Sequence, residues 1–189
     1  MKALELRVGA KAAKRLENEG WHADLMDGLI GASGGPKWLI LGRVDRVVIS
    51  ELLSGRSRPL DAIGSSIGSW RHAAMAQPDP IQAYDRFEQA YLTQNYTSAK
   101  PTVPEITEVA LWLMRTLLGE EGERHVAEHS WLRSHIVTAR GRGFNGRQPG
   151  KRLIAGMGMA AFGNAVSRGT LPASFQRVVF ASSSAEPLT

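Results

Sequence analysis

The chain has 189 residues, 43% hydrophobic and 22% charged, a balance that fits a single folded domain and excludes a disordered chain. The absence of Cys excludes disulfides, thiolate metal sites and cysteine nucleophiles. No apolar run is long enough to span a bilayer and the first residues are charged throughout, so the expected compartment is the cytoplasm; the net charge of +5 is unevenly spread.

In chain order, residues 9–19 alternate Lys, Arg and Glu with Ala and Leu, which predicts a helix stopped by Gly20. "DLMDGLIGA" predicts a short apolar strand running into the glycine-rich "GASGGPKW". Apolar residues at helical spacing from Trp38 to Leu53 predict a helix, "RPLDAIGSS" a strand, and the segment from Ile67 to Met75 a second helix. Thr102 with Glu105 fits a capping box, and Ile106, Val109, Ala110, Leu113 and Leu117 trace a stripe read as core. His125 and His129 stand four apart, but no Glu follows His125 as in HExxH, so they read as a solvated helix end and no metal site is expected. "SHIVTA" (134–139) predicts a strand, 152–168 a helix whose Met157 and Met159 serve packing, and 175–182 a last strand. Strands alternating with helices predict an α/β domain over 1–189, with a parallel sheet covered on both faces and ligands met at the carboxyl ends of its strands.

From Glu128 to Glu186 no acidic residue intervenes, while Arg133, Arg140, Arg142, Arg147, Lys151, Arg152, Arg168 and Arg177 all fall there. A one-sign stretch of this kind predicts either a basic solvated face or an anionic partner such as lipid headgroups. The segment "RGRGFNGRQPGKR" mixes Arg, Gly and Phe as RNA-binding tails do, but lies between a strand and a helix, where a basic surface loop is the better reading and nucleic acid the weaker one.

Two G-x-S-x-G strings follow apolar strands and open helices: Gly31 to Gly35 around Ser33, and Gly64 to Gly68 around Ser66. In a nucleophile elbow the chain turns sharply from strand to helix, and only small residues fit two positions either side of the serine. Gly64 and Gly68 meet that demand, and the helix N-terminus after Ser66 suits a developing oxyanion. The first string reads better as a cradle of peptide N–H groups from Gly34 and Gly35, with Lys37 adding charge at the helix start. A Walker-type phosphate loop fails at Pro36 and Trp38, and no cofactor is expected.

A glycine-rich loop after the first strand, one helix, and a GxSxG elbow after the second strand resemble the patatin-like phospholipase family. "SGGPKW" stands where that family reads GGGxRG, with Ser33 for the first Gly, Lys37 for Arg and Trp38 for the last Gly. "GASGGPKWLILG" and "IGSSIGSWRHAAMA" resemble a bacterial branch, and the resemblance covers roughly residues 1–185. It implies a three-layer α/β/α sandwich with a mainly parallel sheet and a metal-free serine acyl hydrolase of lipid esters. Ser66 is then the nucleophile, the N–H groups of Gly34 and Gly35 form the oxyanion hole, and Ser33, Lys37, Gly64 and Gly68 support loop and elbow.

The family's Ser–Asp dyad takes its Asp from a downstream Asp-Gly turn. Here no Asp follows Asp85, and the one Asp-Gly pair, Asp27-Gly28, precedes the first loop. His72, six residues past Ser66, and His135, in a predicted strand, are the other bases considered, and neither is favoured. The expectation is therefore an amino-terminal part of a larger hydrolase, nearly inactive alone, with self-association through an unpaired sheet edge. Peripheral contact with an anionic membrane surface is the expected use of the arginines. A non-catalytic lipid-binding or regulatory module with a relic elbow is the alternative.

Overall fold

The computed structural model describes residues 7–146, 150–183 and 185. Four strands, β1 (Gly28–Gly31), β2 (Leu60–Ser65), β3 (Leu132–Gly141) and β4 (Phe175–Ala181), form one sheet in the order β1-β2-β3-β4. The β1–β2 and β2–β3 pairings are parallel, with Gly31 opposite Gly64 and Ser65 opposite Val137. Eight helices accompany it among the described residues: α1 (Ala10–Glu19), α2 (Trp38–Val47), α3 (Ile67–Met75), α4 (Pro80–Thr93), α5 (Val103–Leu118), α6 (Gly122–Ala127), α7 (Lys151–Val166) and α8 (Leu171–Ser174).

The local reasons for these elements are mostly short-range. Gly20 takes φ 72°, which ends α1, and a π-helical turn, Val48–Leu52, extends α2. Asp79 caps α4 by accepting from the Gln82 N–H at 2.9 Å with Pro80 at the first helical position. Thr102 accepts from the Glu105 N–H at 3.4 Å, but the Glu105 carboxylate binds the Thr97 N–H and hydroxyl at 2.6 and 2.8 Å. The capping box is thus half made, its carboxylate arm holding the preceding loop.

Alternation along β2 buries Leu60, Ala62 and Gly64 and leaves Asp61, Ile63 and Ser65 half-buried. The buried face joins Leu132, Trp38, Tyr84, Phe87, Leu113 and Leu117 in one core under α2 to α5. Trp38 stacks on Phe87 at 4.4 Å and meets Tyr91 edge-on, so the residue just after the glycine loop is a core anchor. In the stripe on α5, Leu113 and Leu117 are buried while Ile106 is exposed.

Two expectations need correction. The last strand is antiparallel to β3, Gly141 standing opposite Phe175 and the Arg142 N–H donating to Ser174 O at 2.8 Å. The chain therefore leaves the sheet after Gly141 and re-enters it at Phe175 on the same edge, and a returning strand must run backwards. Nor does α7 cover the sheet: it packs on the turns Gly143–Gly146 and Arg168–Thr170 and on α8, with Met157 and Met159 exposed instead of packed. Helical periodicity marked α7 correctly, but not its position beyond the sheet.

Candidate functional site

The turn from β2 to α3 places Ser66 at φ 53°, ψ −129°, the only non-glycine residue with positive φ among the described residues. That conformation costs about 1–3 kcal/mol for a residue with a Cβ and persists only where its surroundings enforce it. Its flanking glycines explain the enforcement. A Cβ on Gly64 would stand 2.7 Å from the Ser69 backbone, and one on Gly68 only 2.0 Å from Gly31 O. A Cβ on Gly31 would meet Gly68 O and the His72 ring, both at 2.8 Å. The elbow and the first loop are therefore in backbone contact, through a Gly31–Gly68 approach that only glycine permits.

Ser66 is exposed at the N-terminus of α3, where the first amides lack helical acceptors and the helix dipole favours negative charge. The neighbouring loop leaves β1 at the same carboxyl edge. Gly34 takes φ −175°, ψ 2°, Gly35 takes φ 51°, both are exposed, and no hydrogen bond occupies either N–H among the described residues. Ser33 Oγ lies 3.3 Å from both Ser65 O and Ser65 Oγ, tying the loop to the residue before the elbow serine. Lys37 ends the 3-10 turn Gly35–Lys37, exposed and without a polar side-chain partner among the described residues. Ser33, Gly34, Gly35, Gly64, Ser66 and Gly68 thus sit together at one edge, with Lys37 one turn away.

The structure assigns the histidines elsewhere. His72 is 4% exposed, packed under Gly31, and burial, aided by the Arg71 charge, pushes its pKa down to about 4. A neutral ring facing the core is no base for an exposed hydroxyl. His135 is fully buried on β3 with Nε2 2.9 Å from Asp61 Oδ1, and Asp61 also takes Arg133 at 2.6 Å. Burial alone would raise Asp61, yet the His135 and Arg133 hydrogen bonds hold it below its ordinary range. Asp61 lies at the amino end of β2, away from Ser66. Asp27-Gly28 sits at the amino end of β1, its carboxylate held by Arg15 at 2.8 Å. His125 and His129 share no helix face, because α6 ends at Ala127 and His129 Nδ1 accepts from the Leu132 N–H at 2.9 Å.

Of the basic stretch, Arg133 pairs with Asp61 and Arg142 donates to Pro172 O at 3.0 Å, while Arg147 and Glu186 lie outside the described residues. The contact residues not singled out beforehand are Gly31 and Ser65. The signal for Gly31 was its place at the head of "GASGG", and for Ser65 nothing beyond adjacency to Ser66.

A cleft of about 360 Å³ opens between α3, α5, α6 and β3, lined by Trp70, Ala73, Met114, Leu117, Val126 and Ile136. It abuts the elbow, since Ile136 is registered beside Gly64 and the N–H of the lining residue Ser69 donates to Ser66 O at 2.9 Å. No helix among the described residues is long and apolar enough to cross a membrane. Comparison of the chain with protein-family models, curated proteins and solved structures found no match.

Proposed function

We propose that this chain carries the nucleophile and oxyanion loop of a serine acyl hydrolase acting on lipid esters, in the manner of the patatin-like phospholipases its loops resemble. The single observation that supports this best is the positive φ of Ser66 between two glycines that tolerate no Cβ. The close glycine contacts hold the serine in this costly conformation, and a nucleophile needs its hydroxyl held clear of the strand in that way. Ser66 Oγ attacks the ester carbonyl, the oxyanion is met by the N–H groups of Gly34 and Gly35 and by the start of α3, and the alcohol leaves with a proton. Water, or another acceptor in an acyl transfer, then releases the acyl group. The cleft beside Ser69 and Ile136 suits an acyl chain.

Neither buried histidine can take the Ser66 proton, so turnover by this chain is expected to be slow, and covalent labelling is the sharper test. A fluorophosphonate should modify Ser66, located by peptide mass, and Ser66→Ala should remove the adduct without lowering thermal stability. Relief of the strained φ is not expected from Ala, which keeps the Cβ. Absence of any adduct on the folded wild type would replace the hydrolase by a lipid-binding module with an inert elbow.

A further inference from the structure

We propose that α7 and the basic residues around it form a docking surface for an anionic lipid bilayer, on the same edge of the sheet as Ser66. The inference stands on the exposure and charge of this surface and adds to the hydrolase reading a surface that presents the serine to its substrate.

Helix α7 is apolar almost all round, yet only Gly156 and Ala160 are buried. At about 100° per residue these two share one narrow side with Gly163. A Cβ on Gly156 would stand 2.8 Å from Phe144 Cβ and Asn145 Oδ1, and one on Gly163 2.9 Å from Thr170 Oγ1, so that side is pressed against the turns before and after the helix. The rest of the circumference carries Ile154 (72% exposed), Met157, Met159, Phe162 (75%) and Val166 (73%). A helix hydrophobic all round belongs in an apolar environment.

Charge identifies which environment. Lys151 and Arg152 open the helix, Arg168 follows its end, and Arg140 and Arg177 face each other's neighbours at the adjoining ends of β3 and β4; all are exposed. None of these five has an acidic partner among the described residues, and no acidic residue is interspersed with them. α7 lacks the one-sided polar face of an amphipathic surface helix, so its fit to a bilayer rests on its ends: the exposed apolar side chains enter the acyl boundary while the Lys and Arg at either end reach the phosphates. A protein partner would have to wrap about two-thirds of the helix circumference and meet only positive charge at its ends.

Position supports the same occupant. β3 runs parallel to β2 and continues four residues past Val137, the partner of Ser65, to Gly141, so the excursion that holds α7 leaves from the carboxyl edge where Ser66 and Gly34 lie. A bilayer seated on α7 would face the elbow side of the sheet.

The test is flotation of the purified chain with phosphatidylcholine vesicles, with and without phosphatidylserine, across a salt series. Wild type is expected to float with the anionic vesicles and to be released by salt. Ile154→Glu with Phe162→Glu, both at exposed positions, should abolish flotation with an unchanged circular dichroism melt. Lys151→Glu with Arg152→Glu should weaken it, by about fivefold for each cation removed. Ser66→Ala should float like wild type, so a failed serine chemistry and a failed docking surface are read separately. Flotation that is absent, indifferent to phosphatidylserine or unmoved by both double variants overturns the proposal. So does a mass measurement in which Ile154→Glu with Phe162→Glu converts a lipid-free dimer to monomer, because α7 would then be covered by a second copy.

Discussion

His72 shows how much a single side chain can depend on the glycines around it. It lies beneath the Gly31–Gly68 approach with Nδ1 unpartnered, and its pKa is near 4 in the folded chain against an ordinary 6.5. Between those values the unfolded chain binds more protons, so stability should be level above about pH 6.5 and fall as pH drops toward 4, by up to about 3 kcal/mol. Urea melts at pH 7 and pH 4.5 check this: wild type should lose about 2–3 kcal/mol more than His72→Gln, the paired carboxylates being common to both. Equal losses would mean that the ring is protonated without cost. The buried Asp45–Arg71 pair, bidentate at 2.5 and 2.6 Å, ties α2 to the same helix and keeps α3 rigid behind the elbow. Such a pair makes the position of α3 expensive to alter, since removing one partner strands the other charge.

At the scale of elements, the two parallel strands that carry the loops are fixed at their amino ends by Arg56. Its side chain, 1% exposed, donates to the carbonyls of Ala23, Met26, Arg58 and Pro59 at 2.6 to 2.8 Å. Asp24 answers by accepting from Ser57 and Arg58 backbone N–H groups at 3.0 and 2.9 Å. The Arg58 N–H, joined by Ser57, holds Asp24 down to about pKa 2, so the staple survives mild acid. Arg56→Met should cost about 3 kcal/mol or more, because four carbonyls lose a charged donor at once, and Arg56→Lys should recover only part, one ammonium being unable to reach them all. Chemical denaturation of the three proteins decides it, and a loss under about 1 kcal/mol for Arg56→Met would show the strands registered without the staple.

Much at this scale was legible in local sequence. α3 begins and ends where periodicity placed it, and β2 and β3 are only adjusted at their ends, because Gly, Pro and apolar spacing act within a few residues. The elbow was legible for the same reason, since Gly-x-Ser-x-Gly encodes a steric requirement met by neighbours in sequence. The Arg56 staple was not: "GRSRP" looks like a basic turn until the 23–26 segment folds beside it. The direction of β4 also escaped, because an excursion that returns to its own edge and a crossover over the sheet can share one helical pattern. Helix α4 carries a start signal in Asp79-Pro80, but its apolar residues are diluted by Gln, Asp, Arg and Glu, which blurs the helical stripe.

Across the whole molecule, burial is distributed unevenly. The segment from Leu60 to Met75 contributes Leu60, Ala62, Ile67, Ala74 and Met75 to the core, whereas sixteen residues of α7 contribute only Gly156 and Ala160. Local opening free energy follows buried apolar contact, so the molecule should open first at α7 and last at β2 and α3. Hydrogen exchange followed by mass spectrometry should find α7 peptides exchanging orders of magnitude faster than those spanning β2 and α3 in buffer. Addition of phosphatidylserine-containing vesicles should slow α7 selectively, leaving the elbow peptides unchanged, because a bilayer supplies apolar contact that the other described residues do not. Uniform protection in buffer would mean that α7 already has a partner in solution, and a uniform gain on adding vesicles would mean global stabilisation without seating on this helix. Selective protection would join the two halves of the carboxyl edge: a rigid serine held by glycine contacts, and a soft helix that becomes ordered at a lipid surface.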